Sequence, residues 1–313
     1  MKRYDWNLRT ALFLGGLGLF FTVFLFYPVG WLLKGALIQD GRFSLRYFQL
    51  LLASPLQREA LLNSFLIAIL TTLLTTALTL PMAHGLTRFN FRGKTLLSSL
   101  LLLPMIMPPF VGAIGLRQLL ARFGSANLFL MDLGLIPPDR PIDWLGQGGF
   151  WGIVLLQVLN LYPIMFLNLS AAMANVDPAL REAAQNLGAS GSRLFRTITL
   201  PLILPGYFAG AIIVFIWAFT DLGTPLIFGF SRVVPVQIFD AVSELNTNPM
   251  GYALVVFVLV LTVVLFLISK TFLAGKRYEM IARGHTAGAE VPAGVGQTIA
   301  IWAGLLTVLA VAL

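Results

Sequence analysis

Apolar side chains fill about residues 11 to 33, 63 to 86, 96 to 119, 150 to 173, 206 to 229 and 251 to 273, and another such run begins at Gln297. Coiled as helices, the six complete runs are each long enough to cross a hydrocarbon core of ~30 Å. The pattern therefore predicts an all-α membrane protein, a polytopic bundle of transmembrane helices. Lys2, Arg3 and Arg9 precede the first run. That run is too long for a signal-peptide core and lacks a small-residue cleavage pattern, so it is expected to stay as an anchor. The chain divides into an anchor span with its following loop (1–59), a core of five spans (60–275), a linker (276–296) and an incomplete span (297–313).

One connection has a pattern of its own. Asp177 can cap a helix and Pro178 suits its first turn, while Leu180, Ala183, Ala184 and Leu187 recur at helical spacing on one face. Gly188 ends that helix. A second short helix is expected from Ser192, presenting Leu194, Phe195 and Ile198 together with Arg193 and Arg196 turned away, until Pro201 stops it. Residues 177–201 thus read as two amphipathic helices meeting at a glycine corner.

Charge adds a direction. The chain carries 21 Lys and Arg against 13 Asp and Glu, a net charge of +8. Of the 21, 13 lie on the amino-terminal side of the alternating connections, which includes the 177–201 loop, and the other 8 lie opposite. By the positive-inside rule the amino terminus and the loop face the cytoplasm. The basic balance then has a topological origin and no nucleic-acid partner is needed. With 58% hydrophobic and 11% charged residues the chain belongs in lipid, and its lack of cysteine excludes disulfides, thiolate metal sites and cysteine nucleophiles.

Several spans contain residues that trouble a helix in a bilayer. Pro81, Pro163 and Pro225 fall in or near spans, and Pro104, Pro108 and Pro109 crowd into the third. A proline frees a carbonyl, which survives only against protein or a water-filled cavity, so the third span is expected to be discontinuous and to line a solute path. Asp221 is the acidic residue of the fifth span, and either lines the path or caps a broken helix end. Gln157 and Asn160 read as interhelical hydrogen-bonding residues or as path lining. His84 and His285 read as structural or solvated.

At the glycine corner the chain resembles the transmembrane permease subunits of bacterial ATP-binding-cassette importers. Their motif is Glu-Ala-Ala, three residues, Gly, nine residues, Ile, one residue, Leu-Pro, and here Glu182, Ala183, Ala184, Gly188, Ile198, Leu200 and Pro201 fill it. The resemblance covers roughly residues 60 to 275. It implies that the loop docks on a separate ATPase subunit through Leu180, Glu182, Ala183, Ala184, Leu187, Gly188, Ile198, Leu200 and Pro201. ATP and Mg would then bind that partner, and this chain would hold no cofactor or metal. It further implies a solute-binding protein, a second permease unit and a bacterial inner membrane, while the residues within the spans give a path candidate set of Pro104, Pro108, Pro109, Asn160 and Asp221. Gly124 with Asn127, and Thr220 to Pro225 with Val236 to Phe239, are similar to the branch that handles ferric iron, phosphonates, thiamine and polyamines. Some members fuse two units, and residues 297–313 look like the first helix of another, so a fragment of a longer chain is expected.

The absences agree with a dependent subunit. No Gly-x-x-x-x-Gly-Lys-Ser/Thr run exists, since Gly93-Lys94-Thr95 has Arg88 where the first glycine would stand. The alternative from another class is an ion-coupled secondary carrier, which needs coupling carboxylates in its spans, and Asp221 alone offers one. A membrane enzyme lacks any cluster of acid, base and nucleophile.

Overall fold

The computed structural model describes residues 8–39, 41–145, 149–242, 250–275 and 291–312. In chain order the helices are α1 (Leu8–Phe21), α2 (Tyr27–Leu37), α3 (Arg46–Ala53), α4 (Pro55–Arg88), α5 (Lys94–Leu100), α6 (Pro109–Leu120), α7 (Ser125–Asp132) and α8 (Phe150–Ala174). They continue with α9 (Pro178–Asn186), α10 (Gly191–Leu194), α11 (Leu200–Thr220), α12 (Gly223–Phe228), α13 (Val234–Val242), α14 (Met250–Gly275) and α15 (Val295–Ala312). Among the described residues, strands are limited to two-residue bridges. The chain forms two compact units, residues 1–59 with 237–262 and residues 60–236 with 263–313.

In the first unit α1 and α2 join through a π-turn at Thr22–Phe26 into one apolar rod, Thr10–Leu37. Its side chains are exposed from Ala11 to Pro28, as suits a helix solvated by acyl chains, and Ala36 near its end is buried. An antiparallel hairpin pairs Ile38 with Phe43 and Gln39 with Arg42. Gln57 Nε2 donates to Gln237 Oε1 at 3.0 Å. Gly35 lies flat on Tyr252, where a Cβ would come within 2.8 Å of the ring.

The second unit is built on two helix pairs. Thr71 Oγ1 donates to Gln157 Oε1 and Thr87 Oγ1 approaches Met173 Sδ, and both pairs are 86 residues apart. A constant offset means that α4 and α8 run parallel in register, here for ~24 Å. The pair α8 and α11 runs the other way: Gly206 faces Ala172 and Gly210 faces Asn168, so the helices close together where side chains vanish. Between α4 and α8, Ile67, Ile153, Val154 and Val158 form a buried cluster with Val233 and Val236. α15 returns to this unit, with Trp302 against Gly93, Leu305 and Leu309 buried, and Phe89 and Asn90 bridged in parallel to Val291 and Pro292.

One sequence expectation holds and others change. The third span is indeed broken: Lys94–Ile106 and Phe110–Asp132 meet at 92°. Pro81 and Pro163, however, sit inside uninterrupted helices, because the neighbours in a packed bundle hold the backbone that each proline weakens. The fifth span is not 206–229 but the continuous rod Gly191–Thr220. Pro201 does not stop it. A π-turn at Phe195–Thr199 ends with Leu200 N–H bonded to Phe195 O, so the ladder shifts by one residue just where Pro201 has no N–H to offer. The last helix starts at Val295 rather than Gln297, and of the expected linker residues 276–290 lie outside the described residues.

Candidate coupling elbow and membrane cavity

The polar loop folds as a capped corner. Asp177 Oδ1 accepts from Ala179 N–H at 2.9 Å and opens α9. At the other end Gly188 N–H donates to Gln185 O and Ala189 N–H donates to Ala184 O, both at 2.9 Å, which is the paired closure of a Schellman turn. That closure puts Gly188 at φ +83°, and no atom lies within 4 Å of where its Cβ would be. The glycine is therefore required by backbone angle and not by crowding.

This corner leaves an apolar strip uncovered. Leu180 is 49% exposed and Leu187 is 89% exposed, with Glu182 and Ala183 also outward and Ala184 half-buried. Ile198, Leu200 and Pro201 are half-buried in the rod that follows. Leu194 is buried, Phe195 is half-buried and Arg193 and Arg196 are exposed, as their spacing predicts, and the helix begins at Gly191 instead of Ser192. Phe195 meets His84 edge-on with ring centroids 5.3 Å apart, which ties the elbow to the end of α4. Arg181 lies at the root of the same corner, its pKa lowered by burial and then by the charge of Arg88.

A second site lies where helices break. A cavity of about 130 Å³ is lined by Pro104, Met105 and Met107 on the fractured third span, Gln157 and Asn160 on α8, and Trp217 and Asp221 at the end of α11. Of the expected path residues, Pro104, Asn160 and Asp221 thus share one cavity. Pro108 stands exposed at the cap of α6 and is not among the cavity residues, and Pro109 opens that helix. Asp221 both lines the cavity and caps a helix: its Oδ1 accepts from Gly223 N–H at 3.1 Å and Thr224 N–H at 3.4 Å. Gln157 is more than an interhelical tie, because its Nε2 donates to Ala218 O at 3.3 Å and to Asp221 Oδ2 at 3.2 Å from the cavity wall.

The segment after the third span is organised by Asn127, which is wholly buried. Its Nδ2 donates to Ala121 O, Arg122 O and Ile142 O, and its Oδ1 accepts from Ile142 N–H and Trp144 Nε1–H. Gly124 is needed beside it, since a Cβ there would come within 2.6 Å of the Gln118 and Leu119 carbonyls.

Residues 76–278 match the family described as the binding-protein-dependent transport system inner membrane component, and this match contains α9, the corner and the α8 to α12 wall of the cavity. The chain belongs to that family. The permease is 28% identical over 232 residues to the molybdenum transport system permease protein ModB of Haemophilus influenzae, covering 72% of this chain and 96% of that one. It is 28% identical over 254 residues to the ferric transport system permease protein FbpB of Actinobacillus pleuropneumoniae, covering 79% of this chain and 36% of that one. Its fold is similar to that of a bacterial ABC transporter involved in the import of the acidic polysaccharide alginate, with a TM-score of 0.66 at 20% identity over 87% of this chain and 96% of that chain. The permease is accordingly a membrane-embedded helical transport component of an ABC importer.

Two functional features escaped the sequence reading. Gly206 and Gly210 carry a close contact of α11 with α8, and their four-residue spacing was the available signal. Thr71, which orients Gln157, had none, because a threonine in an apolar helix most often bonds its own backbone, as Thr72, Thr76 and Thr79 do here.

Proposed function

We propose that the permease couples to separate ATPase subunits through α9 and the Gly188 corner, with ATP and Mg bound on those partners. The observation that carries this reading is the uncovered strip of Leu180, Ala183 and Leu187 on a helix fixed at both ends by its own caps. A rigid, exposed apolar edge with Glu182 at its flank suits insertion into a groove on another protein. In this reading the corner faces the cytoplasm, in accord with the excess of Lys and Arg on that side. Closure of the ATPases around nucleotide moves α9, and α11 and α4 follow through the π-turn and the His84 to Phe195 contact. A packed bundle then switches between discrete arrangements that open the path to alternate sides.

A solute-binding protein delivers the cargo from the opposite side, and a second permease unit, on the same polypeptide or another, completes the path. The relatives named for molybdenum and ferric transport favour a small inorganic solute. The test is co-purification with the ATPase partner encoded for this importer. The intact chain retains the ATPase, and Leu180→Glu with Leu187→Glu loses it while the protein still inserts in the membrane. Retention by that double variant would overturn the docking role.

A further inference from the structure

We propose that Gln157 is a positioning residue that latches the closed arrangement of the solute path by holding Asp221, and that Thr71 sets the latch. This rests on the reading of the cavity as part of the path.

The backbone explains why a latch is needed there. α11 ends at Thr220 and α12 begins at Gly223, so the last carbonyls of one helix and the first N–H groups of the next lose their partners at the end of the fifth span. Asp221 satisfies the amide side through Gly223 and Thr224, and Gln157 satisfies the carbonyl side through Ala218. The same Gln157 amide then joins the two solutions, donating to Asp221 Oδ2 at 3.2 Å. Its orientation is fixed by Thr71, whose hydroxyl is fully buried and donates to Gln157 Oε1 at 3.0 Å. Both hydrogens on Nε2 and a lone pair on Oε1 are used.

Three helices meet in this chain of bonds. Thr71 on α4 and Gln157 on α8 share a parallel register. Asp221 belongs to the break between α11 and α12 and lines the cavity together with Pro104 and Met105 of the fractured third span. Parting that wall to admit a solute separates Asp221 from Gln157. The contact therefore exists in the closed arrangement and is lost in the open one, and a contact made in one state alone biases the equilibrium towards it. Removal of the amide shifts the population to open. Interhelical hydrogen bonds in bilayers act in the range that gives about a three- to tenfold shift.

The absence of native cysteine makes the shift readable. The experiment uses the whole importer complex in nanodiscs, with Asn160→Cys as reporter and a membrane-impermeant maleimide as probe, labelling being scored on the permease. Gln157→Leu should raise the nucleotide-free labelling rate about three- to tenfold, and Thr71→Val should raise it by less. The two together should do no more than Gln157→Leu alone, because both act through one contact. Equal rates with and without the substitutions would overturn the latch and leave the path reading standing. If Asn160→Cys is not labelled in any nucleotide state, the path reading falls and takes the latch with it. Should Gln157→Leu fail to accumulate in the membrane, Thr71→Val alone decides: a faster rate supports the latch and an unchanged one overturns it.

Discussion

The imidazole of His84 and the ring of Phe195 meet edge to face, 5.3 Å apart, one at the end of α4 and the other in the π-turn that follows the glycine corner. Through this contact the elbow touches a second span besides its own, so a displacement of α9 reaches two helices. Phe195→Ala removes the contact and leaves the docking strip intact. ATP hydrolysis should persist, while solute imported per ATP falls about two- to tenfold, the loss expected for an aromatic pair of ~0.5 to 1.5 kcal/mol. The ratio of uptake to hydrolysis in proteoliposomes checks it, and an unchanged ratio would remove His84 and Phe195 from the transmission route.

Gly188 makes a sharper distinction. Space around its Cβ position is open, so the penalty for a side chain comes from φ +83° alone. Gly188→Asn should keep most of the transport activity, because asparagine tolerates that region. Gly188→Val should lose ATPase binding, as a β-branched residue there costs ~1 to 2 kcal/mol or leaves the Schellman turn. Bound ATPase per permease, measured for both variants, tests the order Gly, Asn, Val.

Close packing of α8 on α11 depends on Gly206. A Cβ there would stand 2.5 Å from that of Ala172. Gly206→Ala should lower stability by ~1 to 3 kcal/mol, the usual cost of overpacking, and Gly206→Leu by more. Thermal unfolding in detergent, followed by tryptophan fluorescence, reads the change. Gly304, which has nothing within 4 Å of its Cβ position, supplies the control, and Gly304→Ala should leave the midpoint unchanged or slightly higher.

Asn127 holds the segment after the third span through its carboxamide alone. Asn127→Ala leaves the carbonyls of Ala121, Arg122 and Ile142 and the Trp144 indole without that partner, at a cost of ~1 to 3 kcal/mol. Limited proteolysis in membranes should then cut residues 121–145 several times faster, with the elbow and the spans intact.

Spans were legible in the sequence because hydropathy reports burial in lipid whatever the backbone does. The corner was legible because caps are local: Asp177, Pro178 and Gly188 act on the residues beside them. Span ends were less so. Leu194 and the Leu200 to Leu204 stretch extend the fifth helix backwards through Pro201, since a π-turn one turn earlier absorbs what the proline cannot bond, and no composition signal announces that turn. Similarly, Asp221 looked like an intramembrane charge awaiting either of two roles, and it stands in a cavity wall while capping the helix break. Which residue would share its cavity depended on the 92° fold of the third span, a tertiary fact beyond the reach of spacing.

The account stands on α9 being the surface that meets the ATPase. Leu187 is 89% exposed at the end of that helix, and the chain has no native cysteine to confuse a reporter. Leu187→Cys, treated with a short bifunctional crosslinker in inside-out membrane vesicles that contain the assembled importer, should give a covalent permease and ATPase product that strengthens or weakens with nucleotide. Modification of Leu187→Cys solely by an impermeant reagent added from the extracytoplasmic face, with no ATPase product in any nucleotide state, would contradict it.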